Sequence, residues 1–173
     1  MSIRKRSAIA AIVLSAAGLI SIIGEEGFTE KAVIPTKNDR PTVGFGSTYK
    51  EDGSPVQMGD IITPVQAIKR SLAHIAKDEQ GLKRCVTGEL YQEEYDVLVD
   101  FSYQYGVATT CSSSMVKLIN TGYPTAACYS YPKYKYSGGY DCSTLVNGKP
   151  NKRCWGVYTR NLERQEKCLG ASK

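Results

Sequence analysis

The chain has 173 residues, 42% of them hydrophobic, and a net charge of +5 from 22 Lys and Arg against 17 Asp and Glu. Six cysteines but one histidine, His74, and no C-x-x-C pair leave no closely spaced ligand set for zinc, so neither a metal nor another cofactor is expected. The positive charge suits an acidic polymer, but no nucleic-acid motif accompanies it, so nucleic acid is not an expected partner.

At the N-terminus, Arg4-Lys5-Arg6 precede 18 uncharged residues, Ser7 to Gly24, which run into Glu25-Glu26. As a helix this stretch reaches about 27 Å, barely a bilayer core. Only Ile9, Ile12, Val13, Leu14, Leu19, Ile20, Ile22 and Ile23 are strongly apolar; the rest are Ala, Gly or Ser. Three readings fit: a cleaved signal peptide, a permanent anchor, or a span that inserts and later leaves the membrane. In all three the cationic flank stays inside and residues 25–173 cross. The chain therefore divides into a membrane segment, 1–24, whose end continues into the first helix, and one domain, 25–173, large enough for its own core. Acidic envelope polymers are what such a domain meets.

Residues 28–47 are polar and turn-rich (Pro35, Asn38, Asp39, Pro41) and lead into Thr42-Val43-Gly44-Phe45-Gly46-Ser47, the pattern of a small hairpin. Residues 48–62 read as loop. Thr63, Pro64 and Gln66 then form a capping box that opens a helix with Val65, Ile68, Leu72 and Ile75 or Ala76 as its buried stripe. His74 lies in this run and reads as structural. A second helix covers 91–105, with Tyr95, Leu98, Val99 and Ser102 on one face and Gly106 at its end. A short helix follows Ser112–Ser114, and a last one runs from about Thr159 to Leu169. Six of the twelve tyrosines fall in 123–140, a segment read as loops pinned by cysteines. Helices plus one small β element give an α+β fold.

All six cysteines follow the apolar stretch, which implies disulfides in an exported chain. Fifteen pairings are open. The expected set joins Cys85 to Cys111 across the 91–105 helix, Cys142 to Cys154 around the tyrosine-rich loop, and Cys128 to Cys168 at the chain end.

Glu26 beside a glycine-rich strand suits glycosidic chemistry. A carboxylic acid protonates the leaving oxygen, a second group places water or a nucleophile, and glycines let a sugar approach the backbone. By itself the spacing is a weak signal and reads first as a structural hairpin. Glu26-Gly27 followed by Thr42-Val43-Gly44-Phe45-Gly46-Ser47-Thr48 resembles the signature of the bacteriophage lysozyme family, glycoside hydrolase family 24. The resemblance continues in order. It takes in Asp60-Ile61-Ile62-Thr63, then Tyr95 to Phe101 with Gln104-Tyr105-Gly106, then Ser113 to Asn120. It closes on Trp155-Gly156-Val157 with Arg160 and Glu163-Arg164. It covers roughly residues 20–170.

The resemblance implies a lysozyme-like fold and a monomeric endolysin, an N-acetylmuramidase cutting β-1,4 bonds of peptidoglycan. Glu26 takes the catalytic acid, with Glu25 a rival that points elsewhere around a helix. Thr42 takes the residue that places water. Gln104, Gly46 and Ser47 fall where sugar binds, although Gln104 serves equally well as a backbone bridge. Where the family has Asp or Cys between Glu and Thr, this chain has Pro35-Thr36, and Asp39 is the nearest carboxylate, either a catalytic replacement or a turn residue. Ser47 also replaces the family's common His.

In this fold a helix leads to the catalytic Glu, and only the end of the apolar segment is available for it. This resembles the signal-arrest-release endolysins of phages infecting Gram-negative bacteria. The expectation is therefore an uncleaved chain held in the host inner membrane through residues 7–24, then soluble and active in the periplasm. The alternatives are a secreted antibacterial lysozyme with a cleaved leader, a non-catalytic peptidoglycan-binding protein on the same scaffold, and, as a minor reading, a lytic transglycosylase.

Overall fold

The computed structural model describes residues 5–35 and 39–171; Arg4, Thr36 and Asn38, used above, lie outside them. The fold is α+β and mainly helical, with small two-stranded sheets.

The apolar N-terminal stretch is folded onto the domain. β1 (Ser7–Ala8) pairs antiparallel with β4 (Glu89–Leu90), and a short 3-10 turn over Ile9–Ala11 follows. The helix α1 (Ala16–Glu26) starts only at Ser15, whose hydroxyl accepts from the Gly18 amide. Asp96 fixes that start: its carboxylate accepts both the Ser15 hydroxyl proton and, at 3.0 Å, the Ser15 N–H. Leu14 N–H donates to Glu79 at 2.7 Å, and Arg6 pairs with Glu94 at 2.8 Å. Ile9, Ile12 and Ile22 are buried in the same core as Leu98, Phe101 and Met115. Residues 7–24, read above as a marginal span, are thus broken at Ser15, because local caps and core burial outcompete one continuous helix. No helix among the described residues is long and apolar enough to cross a membrane.

The expected hairpin is β2 (Thr29–Val33) against β3 (Thr42–Gly44), with Val33 opposite Thr42. It covers a small core of Ala32, Val43, Val56, Ile62 and Ala67. The helix α2 (Pro64–Cys85) begins with the expected Thr63–Gln66 capping box. Of its expected buried stripe, Ile75 is buried as read, but the rest differs. Val65 and Leu72 are exposed, and Ala67, Ser71, Ile75, Asp78 and Leu82 face inward. Small residues win that face because the hairpin comes very close: a Cβ on Gly44, at φ +69°, would lie 2.8 Å from the Ala67 Cβ.

The helix α3 (Gln92–Tyr105) runs through the main core, with Tyr95, Leu98, Val99 and Ser102 fully buried, and Gly106 ends it. A helix the periodicity missed, α4 (Val107–Ser112), follows directly, then α5 (Ser114–Asn120) capped by Ser113, and α6 (Pro124–Cys128). The tyrosine-rich region forms two tiny hairpins, β5 (Tyr136–Ser137) with β6 (Tyr140–Asp141), and β7 (Leu145–Val146) with β8 (Lys149–Pro150). The last helix, α7 (Trp155–Gly170), starts four residues before Thr159 and packs on α3. All three expected disulfides form: Cys85–Cys111, Cys128–Cys168 and Cys142–Cys154. Each closes a loop that would otherwise add unfolded-state entropy, a stabilisation of about 2–4 kcal/mol.

Candidate active site

Glu26 is the last residue of α1, and Gly27 at φ +66° turns the chain away immediately after it. Glu25 points to solvent, whereas the Glu26 side chain is 21% exposed and bonded. Its immediate partner is a charge. Arg160 Nη1 on α7 donates to Glu26 Oε1 at 2.7 Å.

Behind this pair lies a ladder between two helices. Arg160 Nη2 donates to Asp100 Oδ1 at 2.8 Å, and Arg164 Nε donates to Asp100 Oδ2 at 2.6 Å. Arg164 Nη1 then reaches Gln104 Oε1 at 2.7 Å and Asn161 Oδ1 at 2.9 Å. Arg160 and Arg164 are one turn apart on α7, as Asp100 and Gln104 are on α3, so the two pairs mesh as rungs. Burial alone would raise the Asp100 carboxyl, but the Arg164 bond and both guanidinium charges outweigh it and hold it below its ordinary value. Burial likewise works against the Arg160 charge, and Asp100 and Glu26 more than restore it.

The other wall is the turn after β3. Val43 and Ser47 exchange both backbone hydrogen bonds, at 3.0 and 3.1 Å, which closes Gly44-Phe45-Gly46 into a tight loop. A Cβ on Gly46, at φ +74°, would lie 3.0 Å from Glu26 Oε2, so the bare glycine backbone forms one face of the carboxylate's pocket. Tyr103 on α3 fixes this loop by donating its hydroxyl to the Phe45 carbonyl at 2.8 Å. Burial, with the Glu26 charge adding to it, keeps that phenol protonated by raising its pKa.

The remaining sequence candidates divide. Thr42 is half-buried on β3, and its hydroxyl donates to Val33 O across the hairpin at 3.4 Å. Ser47 is buried at 7% exposure, where its backbone closes the turn. Gln104 gives its side-chain oxygen to Arg164, which ties it into the ladder. Asp39 is exposed between β2 and β3, and its carboxylate accepts the Arg40 N–H at 2.9 Å, a local turn bond. Arg160 and Asp100 were not singled out as site residues from the sequence. The available signal was the two matched i,i+4 pairs, which only helix packing brings together.

The family model for phage lysozyme matches residues 24–152. The chain belongs to the phage lysozyme family. Among curated proteins it is 30% identical to the endolysin of Bacillus phage PZA over 142 residues, 81% of this chain and 53% of that protein. It is 28% identical to the endolysin of Bacillus phage B103, over 81% of this chain and 52% of that one. The chain thus spans about half the length of these two relatives. Among solved structures, the endolysin from Escherichia coli O157:H7 phage FAHEc1 superposes with a TM-score of 0.75 at 25% identity, covering 95% of this chain and 96% of that one. In this chain α1 delivers Glu26 to the seam between the hairpin with its small core and the main helical core.

Proposed function

We propose that this phage lysozyme is an endolysin, an N-acetylmuramidase that hydrolyses β-1,4 glycosidic bonds of bacterial peptidoglycan and so lyses the host cell. The observation that carries the reading is the placement of Glu26, held by Arg160 on one oxygen and faced by the Gly46 backbone on the other. Glu26 is the general acid that protonates the leaving oxygen. Arg160 orients it, and Asp100 on the far side of Arg160 compensates the guanidinium charge, so that Glu26 is not locked to an unshared cation. Thr42 places the attacking water, and Asp39 supplies the second carboxylate from the turn. Glu26→Gln keeps the shape and removes the proton. Release of reducing ends from purified peptidoglycan should fall at least about a hundredfold. Turnover near that of the unmodified protein would remove Glu26 from the mechanism.

The reading extends to residues 7–24. They hold the chain in the host inner membrane until release and then serve as the arm and helix that deliver Glu26 in the periplasm. Two features support this double use. Ile9, Ile12 and Ile22 are core residues, so a leader cleaved near Gly24 would take part of the core and most of α1 with it. Val13 and Ile20 stay 62% and 66% exposed on the folded arm, more apolar surface than docking requires. Intact-mass measurement of the periplasmic protein tests it: the uncleaved chain is expected, and a mature chain starting after residue 18 overturns it.

A further inference from the structure

The helix α2 carries an apolar strip that the described residues leave uncovered. Val65, Ile68 and Leu72, whose spacing predicts a core-facing stripe, stand beside the buried face rather than in it, and Ala76 continues their line. Val65 is 63% exposed and Leu72 44%. Spaced about one turn apart, these side chains form one strip about 16 Å long. Ile61, 66% exposed, comes just ahead of the helix cap. Exposed apolar residues scattered singly are ordinary, but a continuous strip marks a surface that meets something.

Charge is sorted around the same helix. Its two acids are taken: Asp78 is buried, and Glu79 accepts the Leu14 N–H and the Tyr95 hydroxyl, each at 2.7 Å. Arg70 is paired with Glu51. Lys69, Lys77, Lys83 and Arg84 pair with no carboxylate among the described residues. At about 100° per residue, the order around α2 is the buried face of Ala67, Ile75 and Leu82, then the apolar strip, then Lys69, with Lys77 and Arg84 further round. Lys83 falls on the strip's own line, about five turns from Val65. The outward side of the helix is thus apolar along one edge and cationic along the other, with no free carboxylate.

We infer that this side of α2 is a peripheral binding surface for an anionic phospholipid bilayer. Val65, Ile68 and Leu72 enter the boundary between headgroups and acyl chains, and Lys69, Lys77 and Lys83 reach outward to the lipid phosphates. The surface uses none of residues 7–24 and none of the side chains around Glu26. A second copy of the chain does not suit it. Strip against strip would bring the unpaired cations of both copies together, and a strip one side chain wide falls short of the about 800 Å² per partner that a stable interface buries. A phosphate-bearing polymer in water would take the cations but leave Val65 and Leu72 wet. A bilayer supplies both the anions and the apolar phase.

The test is flotation of the folded full chain with vesicles of phosphatidylcholine alone or of phosphatidylcholine mixed with phosphatidylglycerol. The unmodified protein should float with the anionic vesicles and not with the neutral ones, and less so as salt rises. Val65→Ser/Leu72→Ser should lower the partition coefficient about tenfold, and Lys69→Gln/Lys83→Gln about as much. Both variants should keep the melting temperature of the unmodified protein. Val13→Ser/Ile20→Ser, which alters the exposed apolar residues of the N-terminal arm, should bind as before. Three results overturn the inference. One is the absence of flotation with anionic vesicles. Another is undiminished binding by Val65→Ser/Leu72→Ser, which would leave adsorption to charge alone or, if the Val13→Ser/Ile20→Ser variant loses it, to the arm. The third is a dimer in lipid-free sedimentation that Val65→Ser/Leu72→Ser dissociates, which would give the strip to a second copy.

Discussion

Arg160 and Glu26 are 134 positions apart in the chain and form an ion pair of 2.7 Å with both side chains mostly buried. The pair is a joint: α7 holds one half, α1 the other, and Asp100 on α3 braces it from behind. A carboxylate aimed this way has one orientation.

That joint predicts the behaviour of Arg160 variants. Arg160→Gln should lower kcat/KM by about a hundredfold through misplacement of Glu26, with KM little changed. Arg160→Lys should not rescue it, because one ammonium cannot bridge Glu26 and Asp100 as two guanidinium nitrogens do. Steady-state kinetics on soluble peptidoglycan fragments checks this, and a fully active lysine variant would show that charge alone suffices.

Gly46 should separate site strain from general strain. Gly46→Ala places a methyl 3.0 Å from Glu26 Oε2 at a φ of +74°. Gly122→Ala has a similar φ of +87° but open space around it. Both should lose about 1–2 kcal/mol of stability. Only Gly46→Ala should also lose most of its turnover. Equal activity in the two variants would mean that the loop does not shape the Glu26 pocket.

Stability should depend on Asp100 in acid. Its folded pKa is lowered, so it contributes stability that is fully present above its ordinary value near 4 and is lost as pH falls through the lower, folded value. Asp78 works in the opposite direction, since burial raises it above its ordinary value. The comparison is therefore between the unmodified protein and Asp100→Asn. At pH 7 the variant should be less stable by about 3 kcal/mol, because Arg164 is left buried with its charge uncompensated. The difference should narrow as pH falls below about 4. Urea titrations across pH measure both, and a constant difference would contradict the linkage.

The proposed arrest in the membrane gives a clean variant at Gly24. Gly18 is unsuitable, because a Cβ there would lie 2.8 Å from Asp96 Cγ and 2.7 Å from Leu14 Cδ1, so any side chain disturbs the docked arm. Nothing lies within 4 Å of a Cβ on Gly24. Gly24→Leu should leave the folded form intact, strengthen partition into lipid, and keep the chain longer in the membrane fraction with delayed lysis. Lysis on the normal schedule, with the variant equally soluble at every time point, would count against arrest.

Local signals in the sequence were strong where the backbone itself is constrained. Thr63, Pro64 and Gln66 specify a helix start because they satisfy its free N–H groups, and that start is found. Gly106 marks the end of α3 because its φ of +82° suits no other residue well. The cysteine set also emerged: Cys85 and Cys111 flank α3, Cys142 and Cys154 close the tyrosine-rich loop, and Cys128 ties the middle of the chain to Cys168 at its end. The hydrophobic stripe of α2 was misread because periodicity registers apolar residues. Ile75 and Leu82 do face inward, but the rest of the buried face is Ala67, Ser71 and Asp78, with Ala67 selected by the closeness of the hairpin.

The sequence by itself determined the family, the hairpin with its two glycines and the position of Glu26 at a helix end, because each is written in neighbouring residues. Tertiary structure alone decided what Glu26 touches. The Glu26–Arg160–Asp100–Arg164–Gln104 ladder draws on three helices, and no local pattern encodes which face of α7 meets which face of α3. It also decided the form of residues 7–24. Their composition is marginal between lipid and protein, so Asp96, Glu79 and the core around Ile9, Ile12 and Ile22 settle the folded arm, and those partners lie far away in the chain.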